Sequence, residues 1–520
     1  MTILTMAARH FLANIQLFSQ YILKFPLRQY QIAPLKAVIK SIINRQGLEF
    51  ILIFPRQSGK NEAIAHLIVY LLNLFQRKGG QIVFGAIADG LGRGITRLEE
   101  RLQNQWNEPN GKQLWSKAAR PTRRILGKAA AVFVSSEPTA HSRGETAHIL
   151  LVIDELQDQD PAHIEAVFQP MRSANNATAC YLGTVRLSTD ALGQKRRELE
   201  RLQGQDGIQR VFLVLPDTVA AENPAYKAFL EVKVRTMGRN HPIVASEYFL
   251  EELDGVSGLF PPARRALMLG THSRQSRPQS DLPRIAIIDI GGQDEATTDP
   301  IAQLSNPGRD YTTAHIIELH SSHMPPHPTY HAIDIFTDQG SRHFESSPGN
   351  PSLANRLLAY LQHWQISHII IDGTGVGEGM ASFLAAAFGS SRVTIFKFNG
   401  STKAALGSTF LSIIETGRFK YWSDDAHTEY SDGWWFFTQA AACTYDLPPG
   451  GQFDKHLRWS VPNTHKTHTP TGPTPTHDDR LLSAALVAAA DDLILNNKLH
   501  TGTGQSAIVK PHDPLANLTH

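Results

Sequence analysis

Ile149-Leu150-Leu151-Val152-Ile153-Asp154-Glu155 decides the fold of the first half of this chain: five apolar residues run straight into two acids. An unbroken apolar run of this length suits a strand buried on both faces, as in parallel sheets covered by helices. Acids at the end of such a strand can hold a divalent cation and polarise a water beside it. The same pair can also be a plain helix cap. Upstream, Ile51-Leu52-Ile53-Phe54-Pro55-Arg56-Gln57-Ser58-Gly59-Lys60-Asn61 reads as a strand, a tight loop and a helix start. Such a loop wraps phosphates in backbone N–H groups, with Lys60 on the β and γ oxygens. Alone, it is also an ordinary strand-to-helix turn. Followed by an acid-ended strand at this distance, it implies binding of ATP with Mg2+. Asp154 would hold the Mg2+, directly or through water, and Glu155 would orient the attacking water. The standard loop has Gly where Phe54 stands and Ser or Thr where Asn61 stands.

Around these two segments, residues 50–54, 81–86, 131–135, 149–153, 179–183 and 210–215 read as strands, with helical patterns between most of them. That alternation predicts an α/β domain with a largely parallel sheet. Residues 216–270 read as mostly helical, a lid and linker. Residues 271–283, rich in Ser, Arg, Gln and Pro, read as the domain boundary. A chain of 520 residues favours two or more domains. Its 42% hydrophobic content is enough for ordinary cores, and no apolar run is long enough to span a bilayer. The segment 1–28 lacks the order of a signal peptide and reads as a surface helix, with docking on a partner as the alternative. Two cysteines, Cys180 and Cys443, cannot build a disulfide framework and suit a reducing cytoplasm. The net charge of +2 argues neither for nor against nucleic acid. Local clusters at Arg93, Arg97 and Arg101, at Arg120, Arg123 and Arg124, at Lys195, Arg196 and Arg197, and at Arg264 and Arg265 together favour a polyanionic partner, although each alone suits a solvated face.

The second half carries a different pattern. Residues 284–289 form a strand ending in Asp289, 312–319 its partner, 367–372 a buried strand ending in Asp372, and 392–396 another strand. His477-Asp478-Asp479 opens a helical pattern that continues through 481–495. Acids at such places commonly serve as turns and caps. Their order, strand-acid, strand-acid, helix-acid, matches an RNase H-like nuclease, in which carboxylates distant in sequence share two cations. Asp289, Asp372 and Asp479 are the expected ligands of two Mg2+ or Mn2+ ions. Asp478 is the alternative to Asp479. Asp294, Asp299, Asp310 and Glu378 are weaker auxiliary acids. The histidines from His315 to His331, with His465, His468 and His477, are expected as solvated loop residues, as is the whole Thr-, Pro- and His-rich stretch 462–477.

Together these segments resemble the large subunits of tailed-phage terminases, over roughly residues 27–495. Leu27-Arg28-Gln29-Tyr30-Gln31 is similar to that family's adenine-reading segment, with Gln31 as the reader. Arg56-Gln57-Ser58-Gly59-Lys60 is similar to its variant phosphate loop, which carries Arg-Gln and often lacks the first Gly. Ser142-Arg143-Gly144 resembles the segment bearing an arginine finger, which in the resemblance makes Arg143 reach a neighbour's ATP. Tyr181-Leu182-Gly183-Thr184 resembles the coupling motif, in which Gly183 and Thr184 sense the γ-phosphate. Ile371-Asp372-Gly373-Thr374-Gly375-Val376-Gly377-Glu378-Gly379 resembles the second nuclease motif, with Gly400-Ser401-Thr402-Lys403 and Gly417-Arg418-Phe419 following in the family's order.

The resemblance implies an ASCE-type P-loop ATPase over 1–270, with the lid at about 216–270. It implies an RNase H-like nuclease over 271–497 and a flexible tail from 498. It further implies double-stranded DNA as substrate, a ring of copies on the capsid portal protein, and a small terminase subunit that chooses the DNA. The setting is the host bacterial cytoplasm, with no membrane partner and no secretion. Two rivals are a nucleic-acid-dependent helicase with an appended RNase H-like domain, and a structural packaging component with dead sites, which Asn61 alone favours.

Overall fold

Side chains of a strand alternate between faces, so a strand apolar at every position must be covered on both sides. The computed structural model meets that demand. It describes residues 10–105, 114–118, 122–139, 144–253, 258–291, 311–324, 327–339, 342–346, 349–448, 451–470 and 472–496. Its contacts divide the chain into two units, Met1–Ser257 with Tyr445–Arg458, and Gly258–Thr444 with Trp459–His520.

The first unit holds an eight-stranded sheet. In chain order its strands are β1 (Glu49–Ile53), β2 (Gly80–Ala86), β3 (Trp115–Lys117), β4 (Arg123–Leu126), β5 (Ala129–Ser135), β6 (Leu150–Ile153), β7 (Thr178–Gly183) and β8 (Val211–Leu213). Their spatial order is β3-β4-β5-β2-β6-β7-β1-β8. From β5 to β8 every pairing is parallel. Only β3 and β4 run antiparallel to their neighbours. Strand β7 lies between β1, which leads into the Pro55–Lys60 loop, and β6, which ends at the paired acids; this is the additional-strand arrangement expected of an ASCE-type sheet. Phe50, Leu52, Ile82, Phe84, Leu150, Val152, Cys180 and Leu182 face one core. Ile51, Ile53, Val83, Leu151, Ile153, Ala179 and Tyr181 face the other. Full burial of each large side chain contributes about 1.5–3 kcal/mol, so the alternation fixes the register of the central strands.

The second unit holds a six-stranded mixed sheet of β9 (Arg284–Asp289), β10 (Thr312–His320), β11 (Thr329–Asp338), β12 (His368–Asp372), β13 (Val393–Phe396) and β14 (Phe419–Tyr421). The order is β13-β12-β9-β10-β11-β14. Strand β10 runs antiparallel to both β9 and β11, while β12 runs parallel to β9 and to β13. Apart from β14, this is the RNase H-like arrangement: three antiparallel strands in sequence, then two parallel strands added beside the first.

Several expectations need correction. Strands β3 and β4 pair antiparallel beside the expected β5 and extend the first sheet where only a basic cluster at Arg120, Arg123 and Arg124 was anticipated. Strand β11 is ten residues long and lies where solvated loop histidines were expected. The stretch 462–477, expected as loop, contains a short hairpin of Lys466–Thr469 with Gly472–Pro475. The expected break near residue 271 falls within the second unit. There Arg264 pairs with Glu415 at 2.6 Å, Met268 is buried, and the Gly270 N–H donates to the Tyr421 carbonyl at 2.7 Å. The polar composition of 271–283 marks irregular backbone that still packs: His272 contacts the Ala332 carbonyl at 2.8 Å, and Arg274 pairs with Asp334 at 2.7 Å. Among the described residues no helix is long and apolar enough to cross a membrane.

Candidate active sites

In the first unit the loop after β1 bends through two left-handed residues, Gln57 (φ 62°) and Gly59 (φ 88°). Gly59 is the natural choice for its position, since a residue without Cβ enters that region freely. The helix Lys60–Phe75 then begins. Tyr30 Oη donates to the Ser58 carbonyl at 2.8 Å, and Ser58 Oγ donates to the Pro55 carbonyl at 2.6 Å. Gln31, expected to read the base, spends its amide on protein atoms. Its Oε1 accepts from the Arg28 N–H and its Nε2 donates to the Gly59 carbonyl, both at 2.9 Å. It therefore braces the Pro55–Lys60 loop from the side. Arg56 forms an ion pair with Glu247, and its N–H donates to the Glu247 carbonyl at 2.8 Å.

Pro55 to Glu62, with Arg97, Glu155 and Thr184, line a cleft of about 250 Å³. At its edge Lys60 Nζ lies 2.9 Å from Glu155 Oε1 and 3.4 Å from Asp154 Oδ1. Burial works against the charge on Lys60, but the two carboxylates raise its pKa above the ordinary lysine value. Burial likewise pushes the Glu155 carboxyl up. Lys60 and the Gln157 amide outweigh that effect and leave it below the usual carboxylate range. Asp154 is more deeply buried; desolvation and the Glu155 charge keep it above its ordinary value despite Lys60. The two acids are thus set apart by their surroundings, the Glu155 carboxyl lowered and the more deeply buried Asp154 carboxyl raised. Asn61 Oδ1 is buried without a hydrogen-bond partner. A hard cation would satisfy such an oxygen, so the residues fit Mg2+ even where Asn61 replaces a hydroxyl.

Thr184 donates its N–H to Gln157 Oε1 at 3.2 Å and its hydroxyl to the Phe54 carbonyl at 3.1 Å. Gly183, the last residue of β7, and Thr184 after it, both expected as coupling residues, therefore lie beside the root of the loop that follows β1. Arg143 lies outside the described residues. Sequence reading did not single out Gln157 or Glu62; a glutamine or glutamate within an otherwise ordinary turn or helix carries no signal of its own. Glu62 ties Arg97 at 2.8 Å and Arg101 to the first turn of the helix Lys60–Phe75. Several members of the basic clusters are engaged in such pairs: Arg124 with Glu99, Lys195 with Glu49 and Glu198, and Arg264 with Glu415.

In the second unit the pairing Ile288↔Ile371 carries β9 and β12 side by side to their last residues, Asp289 and Asp372. Asp289 is also opposite Thr313 on β10. Thr313 Oγ1 donates to the Asp479 carbonyl at 3.1 Å, and the Tyr311 N–H donates to Asp479 Oδ2 at 2.9 Å. The sheet thus brings the start of the helix Asp479–Ala485 to the strand end that carries Asp289. Asp289 and Asp479 are buried. Burial raises the Asp372 carboxyl against the lowering pull of its Thr374 hydrogen bonds. Gly377 permits the close turn after Asp372, because a Cβ there would lie 2.0 Å from the Asp372 carbonyl oxygen. Asp478 lies 3.8 Å from Lys403 Nζ, apart from this group of contacts.

Among the described residues no three acid, histidine or cysteine side chains are gathered into a ready-made ion cluster. The donor set at these ends is all carboxylate oxygen, the chemistry that suits Mg2+ or Mn2+. Asp294, Asp299 and Asp310 lie outside the described residues. Glu378 is exposed and pairs with Lys397 at 3.3 Å. His315 and His331 depart from the expected solvated loop residues: His315 is buried against Ser483 and Tyr421, and His331 stacks between His320 at 3.9 Å and His272 at 4.8 Å, whereas His465 and His468 are exposed as expected.

No family model and no curated protein matches the chain. It is similar to the solved structure of the large terminase from a thermophilic bacteriophage in complex with ADP, at 11% identity and TM-score 0.45, over 90% of this chain and 100% of that one. It is similar to the large terminase of bacteriophage HK97 at 13% identity and TM-score 0.39, over 92% of this chain and 99% of that one. A third likeness is to the large terminase nuclease of thermophilic phage G20c with bound magnesium, at 15% identity and TM-score 0.30, over 45% of this chain and 97% of that one.

Proposed function

We propose that this chain is a phage terminase large subunit, driving double-stranded DNA into a procapsid with ATP and cutting concatemeric DNA with a metal-dependent nuclease. The observation that carries the proposal is the placement of Lys60 against Asp154 and Glu155 beside the phosphate loop, in a chain whose second sheet ends two adjacent parallel strands in Asp289 and Asp372.

In the ATPase centre, Lys60 and the loop N–H groups bind the β and γ phosphates. A phosphate competes with Glu155 for the Lys60 ammonium. Glu155 is then left to accept a hydrogen bond from water and aim it at the γ-phosphorus. The chemistry supplied by bound Mg2+ is neutralisation of phosphate charge, with Asp154 and Asn61 as its holders. Arg143 is assigned as the finger reaching a neighbouring copy's nucleotide, and Gly183 and Thr184 as the coupling strand end. Gln31 steadies the loop and stands near the base by resemblance.

In the nuclease centre, Asp289, Asp372 and Asp479 would hold the cations, with Asp478 as the alternative to Asp479. The chemistry supplied by bound Mg2+ or Mn2+ is polarisation of the scissile phosphate. The ring on the portal, the small subunit and the host cytoplasm belong to the same proposal.

The test is ATP hydrolysis with and without duplex DNA, together with plasmid cutting in Mg2+ or Mn2+, on the intact chain. DNA-stimulated hydrolysis and metal-dependent cutting are expected. Absence of both would leave a structural packaging component. Strand unwinding of tailed substrates would favour the helicase alternative.

A further inference from the structure

We propose that Gln157 is the positioning residue that joins the water-orienting Glu155 to the end of β7, so that carboxylate and coupling strand move as one. This role rests on the ATPase reading above and concerns a residue outside the cleft lining.

Gln157 sits in the short 3-10 turn Leu156–Asp158, directly after β6 and its acids, and its side chain is buried. Both ends of its amide are committed. Nε2 donates to Glu155 Oε2 at 2.6 Å, and Oε1 accepts the Thr184 N–H at 3.2 Å. The chain of contacts continues. Thr184 Oγ1 donates to the Phe54 carbonyl at 3.1 Å, and the Phe54 N–H donates to the Gly183 carbonyl at 3.2 Å. One buried amide therefore spans from the acid-ended strand to β7, and β7 is tied to the root of the phosphate loop. Gly183 makes the reach possible, since a Cβ there would lie 2.6 Å from Gln157 Oε1.

Glu155 needs such a support. Its backbone lies at φ 48°, ψ 54°, in the left-handed region. A non-glycine residue stays there only where its surroundings impose it. Its two carboxylate oxygens have different partners. Lys60 reaches Oε1 at 2.9 Å and Gln157 reaches Oε2. The lysine is a point charge on a flexible stem and is free to exchange its partner for a phosphate. Gln157 is held at both ends and cannot follow. When Lys60 turns to phosphate, Oε2 stays pinned and Oε1 is released toward the cleft, which is what orienting a water requires. The reverse also holds: a displacement of the Thr184 backbone at the end of β7 pulls the amide and swings the carboxylate off line.

The test uses the full chain in steady-state ATP hydrolysis with duplex DNA present. Gln157→Met keeps the length and removes both hydrogen bonds. Gln157→Glu keeps an acceptor for the Thr184 N–H but sets a negative charge against Glu155. In both variants kcat is expected to fall by about 10²-fold, the order of loss that follows misplacement of a reacting group by an ångström. KM for ATP and the affinity for a fluorescent ATP analogue should stay within about twofold of wild type. A purely structural role would lower stability or affinity instead. If Gln157→Met fails to fold, Gln157→Glu, which retains the Thr184 anchor, decides. A kcat within about threefold of wild type in a folded variant overturns the role of Gln157 while leaving the ATPase reading intact. A parallel loss of ATP affinity overturns it too. No hydrolysis by the wild-type chain overturns the ATPase reading and this role together.

Discussion

Lys60 Nζ lies 2.9 Å from Glu155 Oε1, so one ammonium links the phosphate loop to the residue assigned to orient water. Removing either partner should have a different signature. Glu155→Ala should leave ATP binding near wild type and lower turnover by about 10²–10⁴-fold, the usual contribution of a positioned general base. Lys60→Ala should weaken binding and turnover together. Isothermal titration with a non-hydrolysable ATP analogue, beside phosphate-release assays, separates the two. Near-normal turnover in both variants would remove the pair from the site.

Arg143 can be tested by mixing. Arg143→Ala should abolish turnover in the assembled ring with ATP affinity roughly unchanged. Combined with Glu155→Ala subunits, it should recover part of the activity, because some interfaces then join an intact Glu155 to a neighbour's intact Arg143. Full activity of Arg143→Ala alone contradicts the finger assignment.

Asp289 and Asp372 close adjacent parallel strands. Carboxylates brought together repel one another, and a cation relieves that repulsion. Mn2+ should therefore raise the melting temperature of the wild-type chain, and the rise should shrink in Asp289→Ala and Asp372→Ala. Asp479→Ala should shrink it as well, whereas Asp478→Ala should do so less. An unchanged Mn2+ response in Asp479→Ala would remove it from the ligand set.

The buried pair Arg418–Asp491, 2.7 Å apart and joined by Tyr330 Oη at 2.7 Å, predicts an acid transition. Burial pushes the Asp491 carboxyl up, but His327, Arg418 and Tyr330 together hold it down at about 2. A lowered folded-state pKa gives stabilisation that is complete above the ordinary carboxylate range and is lost as pH falls toward 2. Wild type should lose stability progressively between about pH 4 and pH 2. Asp491→Ala should cost about 3–5 kcal/mol at neutral pH, because it strands a buried guanidinium. Thermal melts across that pH range check both; an Asp491→Ala variant as stable as wild type at pH 7 refutes the pairing.

What could be read from the sequence follows from which residues advertise their surroundings. β1, β6, β9 and β12 were legible because uninterrupted Ile, Leu and Val permit little but burial, and the acids at their ends stand out by contrast. β11 was not, since Thr329-Tyr330-His331-Ala332-Ile333-Asp334 looks like polar loop. Asp334 is nevertheless buried, satisfied by Arg274, Tyr360 and Trp364 from distant segments. Polar side chains whose partners lie far away in sequence conceal a strand. The same holds for Gln157 and for the actual bonds of Gln31: an amide means little until its two partners are known. The contact division between residues 257 and 258 does not show in composition, which reports exposure and irregularity, whereas Arg264–Glu415 is a contact across more than a hundred residues of sequence.

The central claim is that one chain carries two separable enzymes. It is tested most directly by measuring ATP hydrolysis and plasmid cutting side by side in wild type, Glu155→Ala and Asp289→Ala. The account predicts a crossed result: Glu155→Ala loses hydrolysis and still cuts with Mn2+, while Asp289→Ala loses cutting and still hydrolyses ATP at close to the wild-type rate. Loss of ATP hydrolysis in a folded Asp289→Ala chain, with cutting retained, would contradict it.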